Sequence, residues 1–108
     1  MKQTLLIKHA VSGRMLIDSG KQDVSFSSKP EGNGWQIDIG VPWSGTIEEI
    51  LKLKDELNVF IFYDYDDQPT LKTWYYVGKG PVAYDRDSQL LTIGAQSRIE
   101  YYPHEYSV

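Results

Sequence analysis

Cysteine is absent from the 108 residues. Disulfides, thiolate chemistry and Cys-ligated zinc are therefore excluded. Histidine is scarce, with only His9 and His104. No Gly-x-Ser-x-Gly elbow surrounds any serine, and Gly32-Asn33-Gly34 and Gly78-Lys79-Gly80-Pro81 lack the spacing of a phosphate-binding loop. Both glycine stretches read as turns. Long apolar runs are also missing. The longest, Val59 to Tyr63, is strand-sized, whereas a membrane helix needs about 20 residues. Near the start only Leu5-Leu6-Ile7 are consecutively apolar before Lys8, too few for a signal peptide. The expectation is a cytoplasmic protein, or one assembled into a particle inside the cell, with no membrane association.

Charge of one sign is not concentrated anywhere. The formal net charge is −4, and the eleven Lys and Arg are scattered, Lys52 and Lys54 being flanked by acids. Sequence-independent binding of nucleic acid relies on grouped cations, so no nucleic-acid partner is expected. The length fits one domain, residues 1–108. A core of that size leaves little room for a deep cavity. A small-molecule ligand is therefore not expected, and an open groove or flat patch is the expected working surface.

What is present is a rhythm of turns and short alternating runs. Ser12-Gly13, Ser19-Gly20, Pro30 to Gly34, Asp66 to Pro69 and Asp85 to Ser88 carry turn chemistry. Between them, Thr4 to Ala10, Arg14 to Ile17, Asp23 to Ser27 and Trp35 to Val41 read as strands. In the last of these, Trp35, Ile37, Ile39 and Val41 face one way, and Gln36, Asp38 and Gly40 the other. The stretch Ser28 to Gly34 reads as the loop of a hairpin. Thr46-Ile47-Glu48-Glu49 has the form of a capping box, with Ile47, Ile50, Leu51 and Leu57 on one helical face. Leu51 and Leu53 alternating with Lys52 and Lys54 suit a strand instead, and the cap favours the helix.

The runs Val59 to Tyr65 and Leu71 to Val77 predict a central hairpin. Pairing Tyr65 with Thr70 sets Tyr63 opposite Lys72, Ile61 opposite Trp74, and Val59 opposite Tyr76. Its far end is then apolar on both faces, as for a strand between two layers, here the helix and the N-terminal hairpins. A further hairpin joins Pro81–Tyr84 to Leu90–Ile93, and a last strand lies near Arg98 to Tyr102. The fold class is mainly β, on the margin of α+β. It is a small antiparallel sandwich or barrel of about seven to eight strands with one short helix near residues 46–57.

Asp64, Asp66 and Asp67 invite a calcium reading, but Gln68 and Pro69 occupy positions where an EF-hand loop needs a ligand and a glycine. They read as turn residues, as do Asp85 and Asp87. Nothing marks one carboxylate of a pair as buried, as glycoside hydrolysis requires. No metal, cofactor or catalytic residue is expected, and the chain reads as a non-enzyme. The aromatic content, 13%, is the unusual feature. Tyr and Trp give large contact area with few rotors to freeze. Trp43, Tyr75, Tyr76, Tyr101, Tyr102 and Tyr106 are the candidates for a partner-binding patch, with Asp64, Asp66 and Asp67 as an orienting rim. The partner is another protein or a copy of this chain. By analogy of class, small acidic β-rich domains without cysteine occur among phage structural and accessory proteins and among immunity proteins. The alternative is a carbohydrate-binding module with Trp and Tyr platforms.

Overall fold

A computed structural model of the chain describes residues 2–102. These residues form β1 (Lys2–His9), β2 (Met15–Asp18), β3 (Ser25–Glu31), β4 (Gly34–Gly40), α1 (Gly45–Lys52), β5 (Leu57–Asp64), β6 (Leu71–Tyr76), β7 (Val82–Asp85), β8 (Leu90–Ala95) and β9 (Ser97–Tyr101). Five strands make one sheet in the order β2-β1-β5-β6-β9, and four make the other in the order β3-β4-β8-β7. Every pairing is antiparallel. The architecture is a two-layer sandwich, not a closed barrel.

Period-two alternation fills the space between the sheets. Leu5 and Ile7 of β1 and Leu57, Val59 and Ile61 of β5 meet Ile37 and Ile39 of β4 and Leu91 and Ile93 of β8, all buried. On the outer side of the four-stranded sheet the same alternation places Ser27, Asp38 and Thr92 in one row, and Lys29 and Gln36 in the next. Strand β3 runs through Pro30 to Glu31, so the expected Ser28–Gly34 loop contracts to Gly32-Asn33, with Gly32 at φ +58°. Pro30 has no N–H to give, which an edge strand paired on one side tolerates.

The helix forms, but it is shorter than expected and starts one residue earlier. Its N-cap is Ser44, whose side chain makes no capping bond. Thr46 thus lies inside the first turn, and Glu49 pairs with Arg14 from the β1–β2 turn instead of closing a capping box. Asp55 and Glu56, awkward near a helix C-terminus, fall beyond the helix, in the turn before β5. Ile47 and Ile50 are buried, and α1 touches both β2 and β7. Those strands are edges of different sheets, so the helix closes one side of the sandwich.

The central hairpin pairs one residue away from the expected register. Tyr63 lies opposite Leu71, Ile61 opposite Thr73, Val59 opposite Tyr75, and Phe60 opposite Trp74. A one-residue slip turns every side chain of β6 to the other face relative to β5. The physical reason is Lys72. The expected pairing aligns it with the aliphatic row Val59-Ile61-Tyr63 and drives an ammonium toward the core, at a large desolvation cost. In the observed pairing Lys72 faces outward and Thr73 and Tyr75 face in. Thr70 Oγ1 donates to Asp64 Oδ1 at 2.5 Å and ties the base of the connecting loop, residues 65–70. Only one face of the hairpin is covered by a second layer, the four-stranded sheet, contrary to the two-layer expectation.

Candidate functional site: the outer face of the five-stranded sheet

Registers across the sheet place the outward side chains in rows. One row holds Asp18, Leu6, Phe60, Trp74 and Ile99. The next, toward the β5–β6 loop, holds Thr4, Phe62, Lys72 and Tyr101, and beyond it Lys2 lies opposite Asp64. On the other side comes the row of Lys8, Asn58, Tyr76 and Ser97. The rings support one another. Phe60 and Trp74 stack with centroids 6.0 Å apart, and Trp74 Nε1 donates to Asn58 Oδ1 at 3.1 Å. Lys72 Nζ sits 4.4 Å from the Phe60 centroid, 5.1 Å from Phe62 and 5.6 Å from Tyr101, while Lys8 Nζ lies 6.0 Å from Phe60. These distances lie within cation–π reach. Toward the β9 edge the face dips into a shallow hollow of about 220 Å³ lined by Trp74, Tyr76, Ser97, Arg98 and Ile99. Tyr76 is 52% exposed and Ile99 58%.

The structure sorts the residues singled out from the sequence. Tyr76 and Tyr101 lie on this face, and Tyr102 follows directly, also exposed. Tyr75 does not belong to any surface. It is fully buried, because the register turns it into the sandwich. Its ring meets Trp35 edge-on at 6.3 Å, its hydroxyl donates to Ser28 Oγ at 3.0 Å, and Arg98 Nη1 donates to it at 3.3 Å. Trp43 is exposed but stands apart, against Tyr84 and beneath the Arg86 guanidinium at 4.0 Å. Asp64 sits at the corner of the face, and Asp66 and Asp67 are exposed in the loop at that end. Tyr106 lies outside the described residues. Sequence reasoning missed Phe60, Phe62, Trp74, Leu6, Ile99, Lys8 and Lys72 as a face. The signal was there in β5, whose aliphatic residues share one parity and whose phenylalanines share the other.

The inner side of the same β9 edge holds a polar cluster. The Arg98 guanidinium lies 3.5 Å from the Trp35 ring and pairs with Glu100 at 2.9 Å. Burial pushes the Tyr63 phenol above its ordinary pKa, and the neighbouring Tyr75 adds to the shift. A larger hollow, about 440 Å³, opens over Gly34, Gly80 and Gly94. Its polar side chains are Glu31, Asn33, Lys79 and Gln96, all exposed, and Gln36 and Thr92, both half-buried. Small-ligand sites converge placed polar groups into an apolar pocket, and here most of them stand on the rim. His9 is bonded to Ser12 and Glu56 across a turn. Among the described residues no three His, Asp or Glu side chains gather as a metal site would, and no helix is long and apolar enough to cross a membrane.

No protein-family model, curated protein or solved structure matches this chain.

Proposed function

We propose that this domain is a non-catalytic module that docks onto another polypeptide through the outer face of its five-stranded sheet. The observation that supports the reading is the difference between the two sheets. One turns Ser27, Lys29, Gln36, Asp38 and Thr92 outward beside Ala83 and Leu90, and the other carries the large side chains Leu6, Phe60, Phe62, Trp74, Tyr76 and Ile99 among Lys2, Thr4, Lys8, Asn58 and Lys72. Contiguous apolar surface of this kind marks interaction sites on soluble domains. Tyr76 and Ile99 at the hollow serve as anchors, and Lys8 and Lys72 supply charge for orientation. A place in an intracellular assembly, or the inhibition of a single partner, both fit such a surface.

Sugar stacking is the second reading of the aromatic content. It needs a ring face left open, whereas Phe60 and Trp74 lie against each other and Lys72 covers Phe60. The ring packing favours a polypeptide. The test is affinity capture with the native chain beside a Tyr76→Ser/Ile99→Ser variant of unchanged melting temperature. A partner held by the first and lost by the second supports the reading. Equal capture by both removes this face as the site, and selective glycan-array binding would replace the reading with the second.

A further inference from the structure

We propose that Arg98 and Glu100 guard the free edge of β9 against pairing with a strand of another polypeptide. A strand bonded on one side only leaves a row of N–H and C=O groups open to any extended chain. Among the described residues four strands stand in that position, β2 and β9 in one sheet and β3 and β7 in the other. Three of them carry an evident deterrent. Strands β2 and β7 have four residues each, and α1 packs against both. Strand β3 presents Lys29 and Pro30, both exposed, and Pro30 has no N–H. Strand β9 has no proline, and its outward side chains Ser97, Ile99 and Tyr101 are uncharged. Apart from Arg98 and Glu100 it is the kind of strand that adds neighbours.

Those two residues point the unusual way. Arg98 lies opposite Tyr75 and Glu100 opposite Thr73, and both partners are fully buried, so the charges face the inside of the sandwich. On the last strand of a sheet, inward side chains keep contact with water past the open edge, here 26% of the Arg98 side chain and 43% of that of Glu100. A strand added beyond β9 closes that path and covers a guanidinium and a carboxylate. Desolvating them is costly, and because they already pair with each other the added strand supplies no new attraction to offset it. The Trp35 ring and the Tyr75 hydroxyl hold Arg98 in this position. An outward charge would guard the edge as well, but the outward positions Ile99 and Tyr101 belong to the candidate docking face. The guard itself does not depend on the docking reading. If that reading holds, the hollow beside Trp74 and Ile99 borders a protected edge, so its partner is met by side chains and not by strand addition.

Sedimentation velocity over a concentration series and amide hydrogen exchange read by mass spectrometry, both on the full chain, test the guard. Circular dichroism confirms that each variant is folded. In the native chain about half of the amides from Ser97 to Tyr101 point away from β6, and these are expected to exchange as open backbone. Arg98→Met/Glu100→Leu keeps long side chains and removes both charges. It is expected to associate about tenfold more tightly than the native chain, with exchange in residues 97–101 slowed in the associated form. Arg98→Lys retains an inward charge and is expected to associate no more than the native chain, although it is less stable. Protection of every amide of the segment in the native monomer overturns the proposal, because the edge is then already covered. A folded double variant that associates no more than the native chain overturns it too, as does one that associates with exchange in 97–101 unchanged. Association of Arg98→Lys equal to that of the double variant overturns it by tracing the effect to lost stability. If the double variant does not fold, Glu100→Leu alone leaves the Trp35 stack in place and carries the same readouts, and its failure to associate beyond the native chain is decisive against the guard.

Discussion

Tyr75 and Tyr76 are chemically identical neighbours that the register sends to opposite sides of a sheet, so truncating each in turn measures the register directly. Tyr75 is fully buried, with Trp35 against its edge and Ser28 and Arg98 on its hydroxyl. Its replacement by alanine costs about 4 kcal/mol for the ring and the space left behind. The unpaired groups on Ser28 and Arg98 add about 1 kcal/mol. Tyr76 loses only cross-strand contact on a wet face, about 1 kcal/mol or less. Stability of a domain this size is on the order of 5–15 kcal/mol, so Tyr75→Ala consumes a large part of it and Tyr76→Ala a small one. With a urea slope of about 1–3 kcal/mol per molar, the two midpoints differ by more than about 1 M. Urea unfolding followed by far-ultraviolet circular dichroism and tryptophan fluorescence reads the difference. Tyr75→Phe keeps the ring and is expected to cost about 1 kcal/mol. A Tyr76→Ala variant less stable than Tyr75→Ala would refute the reasoning, because Tyr76 would then be the inward residue opposite Val59.

Thr73 is fully buried and its hydroxyl has no hydrogen-bond partner among the described residues. Thr73→Val is expected to raise stability by about 1 kcal/mol in the same unfolding assay, and a loss would show that the hydroxyl is bonded. Arg98→Ala is expected to lower stability by about 1–2 kcal/mol, through the Trp35 stack and the Tyr75 bond. Arg98→Lys recovers only part of it, since an ammonium cannot lie flat on an indole as a guanidinium does. Tyr63 holds its proton more tightly folded than unfolded. Its contribution is therefore complete below about pH 10, the ordinary phenol value, and is lost as pH rises through the higher folded value. Unfolding midpoints at about pH 8 and about pH 11 should diverge less in Tyr63→Phe than in the native chain. Trp43→Ala is expected to leave partner capture unchanged, because Trp43 packs on Tyr84 and Arg86, away from the docking face.

The mainly β class was legible because alternation survives in single strands, whereas the choice of sandwich over barrel was not. Trp35, Ile37, Ile39 and Val41 announce their buried side without help from any neighbour. The helix was legible from Ile47 and Ile50, although its start was not. Glu49 is claimed by Arg14, a residue 35 positions away, and no local spacing reveals that. The candidate face depended on pairing between strands, which sequence fixes only where one choice buries a charge. Lys72 was that signal, and it argues for the observed register. The presence of an aromatic surplus was legible, but its location was not. Tyr75 and Tyr76 look alike along the chain, and only the opposing strand decides which one meets solvent. Ser28, inside the expected loop, proved to be a strand residue bonded to Tyr75.

An outer aromatic face could exist to stiffen its own sheet, since cross-strand ring pairs contribute about 0.2–1 kcal/mol each. Phe60 and Trp74 suit that purpose, being stacked at the centre of the sheet. Ile99 does not. It lies on the edge strand β9, has neighbours on one side only, and leaves 58% of its surface in water. Ile99→Thr keeps the β-branch that strands favour and removes apolar surface alone. If the face serves docking, this change leaves stability within about 0.5 kcal/mol and weakens partner capture. If it serves the sheet, unfolding registers the loss and capture does not. Measuring both on one variant separates the explanations, because the same side chain cannot be dispensable for folding and idle in binding if the docking reading holds.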